Sequence, residues 1–253
     1  MTSAEESGTG YYVYGVVPAA TRLPKGLRGL DEVPVEQVEY DDIAAVASPF
    51  QLDRPPGRRA ELVAHSRVVD RLVESVTVVP AQFGSVMADR DSVVTDLLGP
   101  DHDHFVELLH RLEGHCQLNL RATYVEEQVL AEVVRDRPDI AELRRRTRGL
   151  PEGTVHPDLV RLGELVAATM EGKRAVDADQ VLAVVTPRTV AHVVRPARGL
   201  DHVVDLALLV TREQLASLET DLEDFAEAVH DRIRLRLTGP TAAYDFVGEA
   251  AWA

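Results

Sequence analysis

Cysteine occurs once, at Cys116, in a chain of 253 residues. One thiol cannot close an internal disulfide, so the fold has to be held by its core, as suits a reducing compartment. Lysine is scarce as well: of 27 basic residues only Lys25 and Lys173 are lysines. Arginine bias of this kind accompanies GC-rich genomes and carries no mechanism. No run approaches 18 consecutive apolar residues, which excludes a helix that spans a bilayer. The opening MTSAEESGTG is polar and acidic. It has neither the charged n-region nor the apolar h-region of a secretory signal, so a cytoplasmic location is expected. Positive charge is short: 27 Lys and Arg stand against 42 Asp and Glu, for a net charge of −15. A field of that sign repels a polyanion and an anionic membrane surface, so neither nucleic acid nor membrane is expected as a partner. Catalytic signatures are missing too. There is no phosphate loop, GxGxxG, GxSxG, HExxH or paired CxxC.

Apolar residues are plentiful, at 45% of the chain. At this length they support a substantial core, and the composition is not that of a disordered chain. Residues 1–9 read as a disordered tail. Tyr11–Val17 is rich in aromatic and β-branched residues and reads as a strand. Val33–Glu39 and Ile43–Ser48, joined by Tyr40, Asp41 and Asp42, read as a hairpin. Leu62, His65, Val69, Leu72 and Val76 step by three and four, which predicts one face of a helix over 58–76. Residues 77–80 resume β character. Short helices are expected over 89–98 and 101–112. His115–Val125 alternates, with Cys116, Leu118, Leu120, Ala122 and Tyr124 on one face, as in a half-buried strand.

Helices over 126–137 and 138–148 follow, with Pro138 at a first helical position. Gly149–Pro157 reads as a linker. A long helical stretch over 158–185 is expected to break at Gly172. Strands over 189–194 and 202–210, a helix over 211–231 capped by Thr211 with Gln214, and a strand over 233–237 complete the chain. The fold class is therefore α+β in two domains. The first is a ferredoxin-like sheet with helices on one face, and the second is a smaller α+β domain. The expected divisions are a tail to residue 9, an N-terminal domain over 10–125, and a helical connection and linker over 126–157. A C-terminal domain over 158–239 and a tail over 240–253 follow.

Few residues present themselves for chemistry. His102, His104, His110, His115 and Cys116 gather near one another, but at spacings that do not share a helix face. His65 interrupts an apolar stripe, where a histidine bonded within the core is the commoner arrangement. Arg144, Arg145 and Arg146 fall at a helix C-terminus and complement its dipole. The acidic residues of the 211–231 helix form a solvated face. No cofactor and no metal is expected. Two stretches exceed what folding alone requires: Val76–Val86, which runs through Pro80 into Gln82-Phe83-Gly84, and Leu237–Val247, whose aromatics dock on the chain's own core or on a partner.

Those stretches carry a resemblance. Tyr14-Gly15-Val16-Val17, Ile43–Ser48, His65 in the following helix, Val79-Pro80-Ala81-Gln82-Phe83-Gly84-Ser85-Val86, Ala207–Val210, and Leu237-Thr238-Gly239-Pro240 with Tyr244-Asp245-Phe246-Val247 occur in order. Together they resemble the GvpF/GvpL family of gas vesicle proteins over residues 11–247. Gln82 stands where the family has Arg, and Thr241-Ala242-Ala243 where it has Trp-Pro-Pro. The second departure leaves the C-terminal segment less pre-organised. The resemblance implies a non-enzymatic accessory protein of gas vesicle assembly, cytoplasmic and vesicle-associated. It implies binding to the small hydrophobic shell protein (GvpA-type), and to other accessory proteins, as a chaperone-like or nucleation factor. It points to His65, Pro80, Phe83, Gly84, Gly239, Pro240, Tyr244, Phe246 and Val247 as interface or family-pattern residues. The alternative is a cytosolic enzyme, or a small-ligand or metal-binding protein, on a ferredoxin-like scaffold. It would use His65 and the His102–His115 region.

Overall fold

The computed structural model of the chain describes residues 8–149, 152–196, 199 and 201–248. In chain order they form β1 (Thr9–Pro18), β2 (Glu36–Tyr40), β3 (Ile43–Gln51), α1 (Arg59–Val73), β4 (Val79–Pro80), β5 (Val86–Met87) and α2 (Arg90–Ser92). A π-helical turn at Val93–Leu98 leads to α3 (His102–Leu112), β6 (His115–Tyr124), α4 (Glu126–Asp136), α5 (Pro138–Thr147) and α6 (Glu152–Val185). Then come β7 (Ala191–Val194), β8 (His202–Thr211), α7 (Leu215–Val229), β9 (Ile233–Thr241) and a 3-10 turn at Tyr244–Phe246. The fold is mixed α and β with two sheets. Among the described residues no helix is long and apolar enough to cross a membrane.

The elements pack as two compact units. One runs to Leu118 and takes up the chain again from Gly239; the other is Asn119–Thr238. The division expected from the sequence differs in two respects. It placed a linker at 149–157, which is helical from Glu152, and it set the residues after 239 apart as a tail. The expected tail over 1–9 lies mostly outside the described residues, as do 249–253.

In the first unit the sheet order is β2-β3-β1-β4, with β5 also on β1, and the pairings are antiparallel. Tyr40 faces Ile43 across a two-residue turn in which Asp41 adopts φ 54°, a left-handed conformation that Asp tolerates. Tyr12, Tyr14, Val17, Ala44, Val46 and Phe50 of this sheet pack on Ala64, Val68, Val69, Leu72 and Val73 of α1. The buried stripe of α1 thus differs from the expected one at its start, because Leu62 is 47% exposed and Glu61 is buried. Step-counting cannot separate these neighbours. What turns Glu61 inward is hydrogen bonding. Its carboxylate accepts the backbone N–H groups of Gly57 and Arg58, each at 2.8 Å, and pairs with Arg54. The Arg54 guanidinium, helped by those N–H groups, holds the carboxyl at about 2.

The second unit has sheet order β7-β8-β6-β9. β8 is buried on both faces, as its unbroken apolar run requires. The element succession here, from β6 to β9, is β-α-α-α-β-β-α-β. The first unit instead begins β-β-β-α-β, although the sequence reading placed the ferredoxin-like pattern there. α6 continues through Gly172 and includes Pro157 in its second turn. Both residues read as breakers, yet a helical glycine costs only about 1 kcal/mol and a long helix absorbs it. α7 begins at Leu215 with Gln214 as its cap residue, without a side-chain capping bond. Thr211, expected as the cap, closes β8 instead.

Candidate functional site

The residues singled out from the sequence largely converge in the first unit. His65, on α1, is buried. Its Nδ1 lies 3.0 Å from the Tyr12 hydroxyl and its Nε2 lies 3.1 Å from the Tyr244 hydroxyl. The Gly84 N–H donates to the same Tyr12 oxygen at 3.0 Å. Each phenol can donate or accept, so a neutral imidazole meets these contacts in either tautomer. Phe83 sets its ring edge-on to His65, with centroids 5.8 Å apart at 89°. Tyr14 stacks on the imidazole at 5.9 Å and 29°. Burial pushes His65 down to about 4, and contact with the Ala81 backbone opposes this only in part. Burial pushes the Tyr12 and Tyr244 phenols up. Every member is therefore neutral near pH 7.

The C-terminal segment is fastened to this cluster. Gln117, buried on β6, donates from Nε2 to Asp245 Oδ2 at 2.7 Å and accepts the Asp245 N–H at 3.2 Å. Arg111 donates to the Phe246 carbonyl. Ala242, Ala243 and Val247 are buried, and Ala242 belongs to the core cluster. The segment thus docks on its own unit, with Ala242 and Ala243 beneath it where the sequence comparison expected looser anchoring. Gly239 has φ 129°, and a Cβ there would lie 2.9 Å from the Gln117 carbonyl oxygen, so no side chain fits. Gly84, at φ 101°, aims its N–H at Tyr12 from a conformation that suits only glycine. Pro80 is buried and pairs with Gly15. Phe246 is half-buried, and Tyr244 is 38% exposed. Sequence reasoning missed Tyr12 and Gln117. Tyr12 was hidden in a strand rich in tyrosine. Gln117 was hidden on the polar face of an alternating strand, although it is only 2% exposed.

This cluster fastens the C-terminal segment, and its histidine faces two phenols. Among the described histidines no other joins it. His102 Nε2 bonds Asp42 at 2.7 Å, and that carboxylate pushes the imidazole up. His104 and His110 are exposed, and Cys116 is buried. Among the described residues no hydrogen bond or ring contact links His65 to any of them. Asp41, Asp42 and His102 bring ligand atoms within 4.8 Å of one another, an arrangement the His102–Asp42 pair accounts for. Arg145 pairs with Glu142 and Arg146 with Asp158, at the end of α5.

The second unit carries an apolar groove of about 530 Å³ between α4 and α6. Val129 and Leu130 form one wall. Leu159, Leu162, Val166 and Met170 form the other, with Gly163 and Ala167 keeping it open. Glu126, Glu171, Asp201 and Arg174 stand around it. Arg174 is engaged with Glu171 and with the His202 carbonyl, so the rim is acidic on balance. Beside it, α6 is fixed to the rest of the unit by a buried network. Asp177 accepts two bonds from Arg232, at 2.7 and 2.6 Å, and one from Tyr124. Arg232 also bonds Glu132 at 2.9 Å.

Comparison with known proteins gives consistent matches. The family model described as gas vesicle synthesis protein GvpL/GvpF matches residues 10–248. Gas vesicle protein F of Streptomyces sp. (strain CB03234) is 30% identical over 240 residues, which is 93% of this chain and 98% of that protein. Gas vesicle protein L of the same strain is 28% identical over 262 residues, covering 94% and 93%. The crystal structure of GvpF from Anabaena sp. PCC7120 superposes with a TM-score of 0.81 at 22% identity, over 95% of this chain and 99% of that one. GvpF from Microcystis aeruginosa gives 0.76 at 23% identity, over 94% and 99%.

Proposed function

The chain belongs to the gas vesicle synthesis protein GvpL/GvpF family, and we propose that within its gas vesicle accessory role it binds the hydrophobic shell protein (GvpA-type). On this reading it acts as a non-enzymatic, chaperone-like assembly factor in the cytoplasm, and other accessory proteins join it there. A subunit that polymerises through apolar strands aggregates when free. A partner that shields apolar surface and itself carries a net charge of −15 keeps such a client dispersed. The observation that carries this reading is the groove between α4 and α6. It is apolar, open and large enough for several aliphatic side chains. Its acidic rim suits a client segment with basic residues beside its apolar face.

The same reading gives Phe83, Tyr244 and Phe246 a second contact surface, because none of the three is fully buried. His65, Pro80, Gly84, Gly239, Pro240 and Val247 hold that surface in shape. A two-domain, ferredoxin-like architecture belongs to this reading too, and it draws its support from the strand order β7-β8-β6-β9 of the second unit, with its first and third strands at the centre.

The test is complementation of a strain lacking the gene. Leu130→Glu with Val166→Glu places charges in the groove at positions that already reach solvent, so folding is preserved. Loss of buoyant vesicles at normal levels of soluble variant supports the reading. Wild-type vesicle formation by that variant removes the groove from it.

A further inference from the structure

The only basic run in the sequence, at 144–148, is a helix end. The fold, however, assembles a different positive site that no local pattern announces. Asp205, on β8, is 8% exposed. Arg121, from β6, donates to its Oδ2 from Nε at 3.1 Å and from Nη2 at 2.8 Å. Arg195, just past β7, donates to Oδ1 at 3.1 Å and also reaches Asn119. Arg236 and Thr238, from β9, close a recess of about 190 Å³ over this group. Among the described residues Arg236 has no hydrogen-bond or ion-pair partner. Three guanidinium groups and one carboxylate thus line a single recess, a lining charge of +2 in a chain whose net charge is −15.

A structural ion pair accounts for Arg121 and Arg195. It does not account for Arg236, which faces two like charges across a concave surface when open solvent is at hand. An anion seated in the recess removes that repulsion and receives charge-assisted hydrogen bonds. Arginine as such is not informative in a chain with two lysines; the convergence from three separate segments is. The recess exceeds what a chloride ion fills and is too small for a nucleotide. We propose that this recess on the second unit binds a small, multiply charged oxyanion, either a phosphate or a di- or tricarboxylate, with Asp205 setting the fork of Arg121 and Arg195 and Arg236 supplying the unneutralised charge. The site is independent of the shell-binding groove, and it gives an assembly factor a means to respond to a metabolite or to inorganic phosphate.

The test is calorimetric titration of the full chain with inorganic phosphate and, separately, with citrate, at ionic strength matched by sodium chloride. Saturable binding of either one, weakened about tenfold or more by Arg236→Gln, supports the site and identifies the ligand class. Arg236 is exposed and unpaired, so this variant folds. The triple variant Arg144→Gln, Arg145→Gln, Arg146→Gln serves as the charge control and is expected to bind as the parent does. Three results overturn the proposal: no saturable binding of either anion, binding that Arg236→Gln leaves unchanged, or equal weakening by the triple variant.

Discussion

His65 should make the first unit sensitive to mild acid. The imidazole is buried between Tyr12, Tyr14, Phe83 and Tyr244, and burial lowers it from 6.5 to about 4. Unfolded, it titrates near its ordinary value. Between those two values the unfolded chain binds a proton that the folded chain refuses, so stability falls as pH falls through this window and levels off below it. From pH 7 to pH 5 the loss is about 2 kcal/mol, and the full difference approaches about 3 kcal/mol near pH 4. Urea unfolding at pH 7, 6 and 5, followed by far-UV circular dichroism, reads this directly. His65→Gln supplies the reference. It is less stable at pH 7 but should lack the 2 kcal/mol slope. The carboxylates do not mimic this effect, since Glu61, held at about 2, loses its contribution only below about 4.5. His102, which is raised, changes stability in the opposite sense, and the variant shares it. Parallel pH profiles for the two proteins, or an NMR titration of His65 near 6.5, would refute the buried neutral network.

Tyr12→Phe leaves His65 Nδ1 without its partner in the core and takes the acceptor from the exposed Gly84 N–H, and should cost about 1–3 kcal/mol, whereas Tyr244→Phe frees only Nε2 beside solvent and should cost about 1 kcal/mol; denaturant midpoints give both. Asp177→Ala leaves Arg232 and the Tyr124 hydroxyl short of a buried partner, so the second unit should lose about 3 kcal/mol, seen as a lower denaturant midpoint or earlier hydrogen exchange along α6. Phe83→Ala, and Tyr244→Ala with Phe246→Ala, should lower vesicle yield. Yield falling in step with soluble protein would assign these residues to folding and not to a partner.

What the sequence disclosed depended on how local the cause was. The alternation from Cys116 to Tyr124 placed all five apolar residues in the core, because strand geometry enforces a period of two. The convergence of His65, Phe83, Gly84 and Tyr244 was approached through resemblance alone, since nothing in their spacing brings residues 65 and 244 together. Gln117 was illegible because its burial depends on Asp245, more than a hundred residues later. The stripe of α1 differs from its pattern only at the start, because Glu61 is pulled inward by backbone N–H groups that a hydropathy pattern does not contain. The long α6 was broken at Gly172 on propensity, which packing along its length overrides. The return of the chain to the first unit at Gly239, and the gathering of Arg121, Arg195 and Arg236, are products of strand order, and strand order is not written in any one segment.

The proposed occupant of the α4–α6 groove is a hydrophobic shell subunit. Co-expression of the tagged full chain with the shell protein of the same vesicle system, followed by purification at mild salt, measures it. The shell protein should co-purify in soluble form with the parent chain and be lost with the Leu130→Glu, Val166→Glu variant at equal thermal stability. Absence of the shell protein from the parent preparation, or its equal recovery with the variant, would rule out the groove as its binding site.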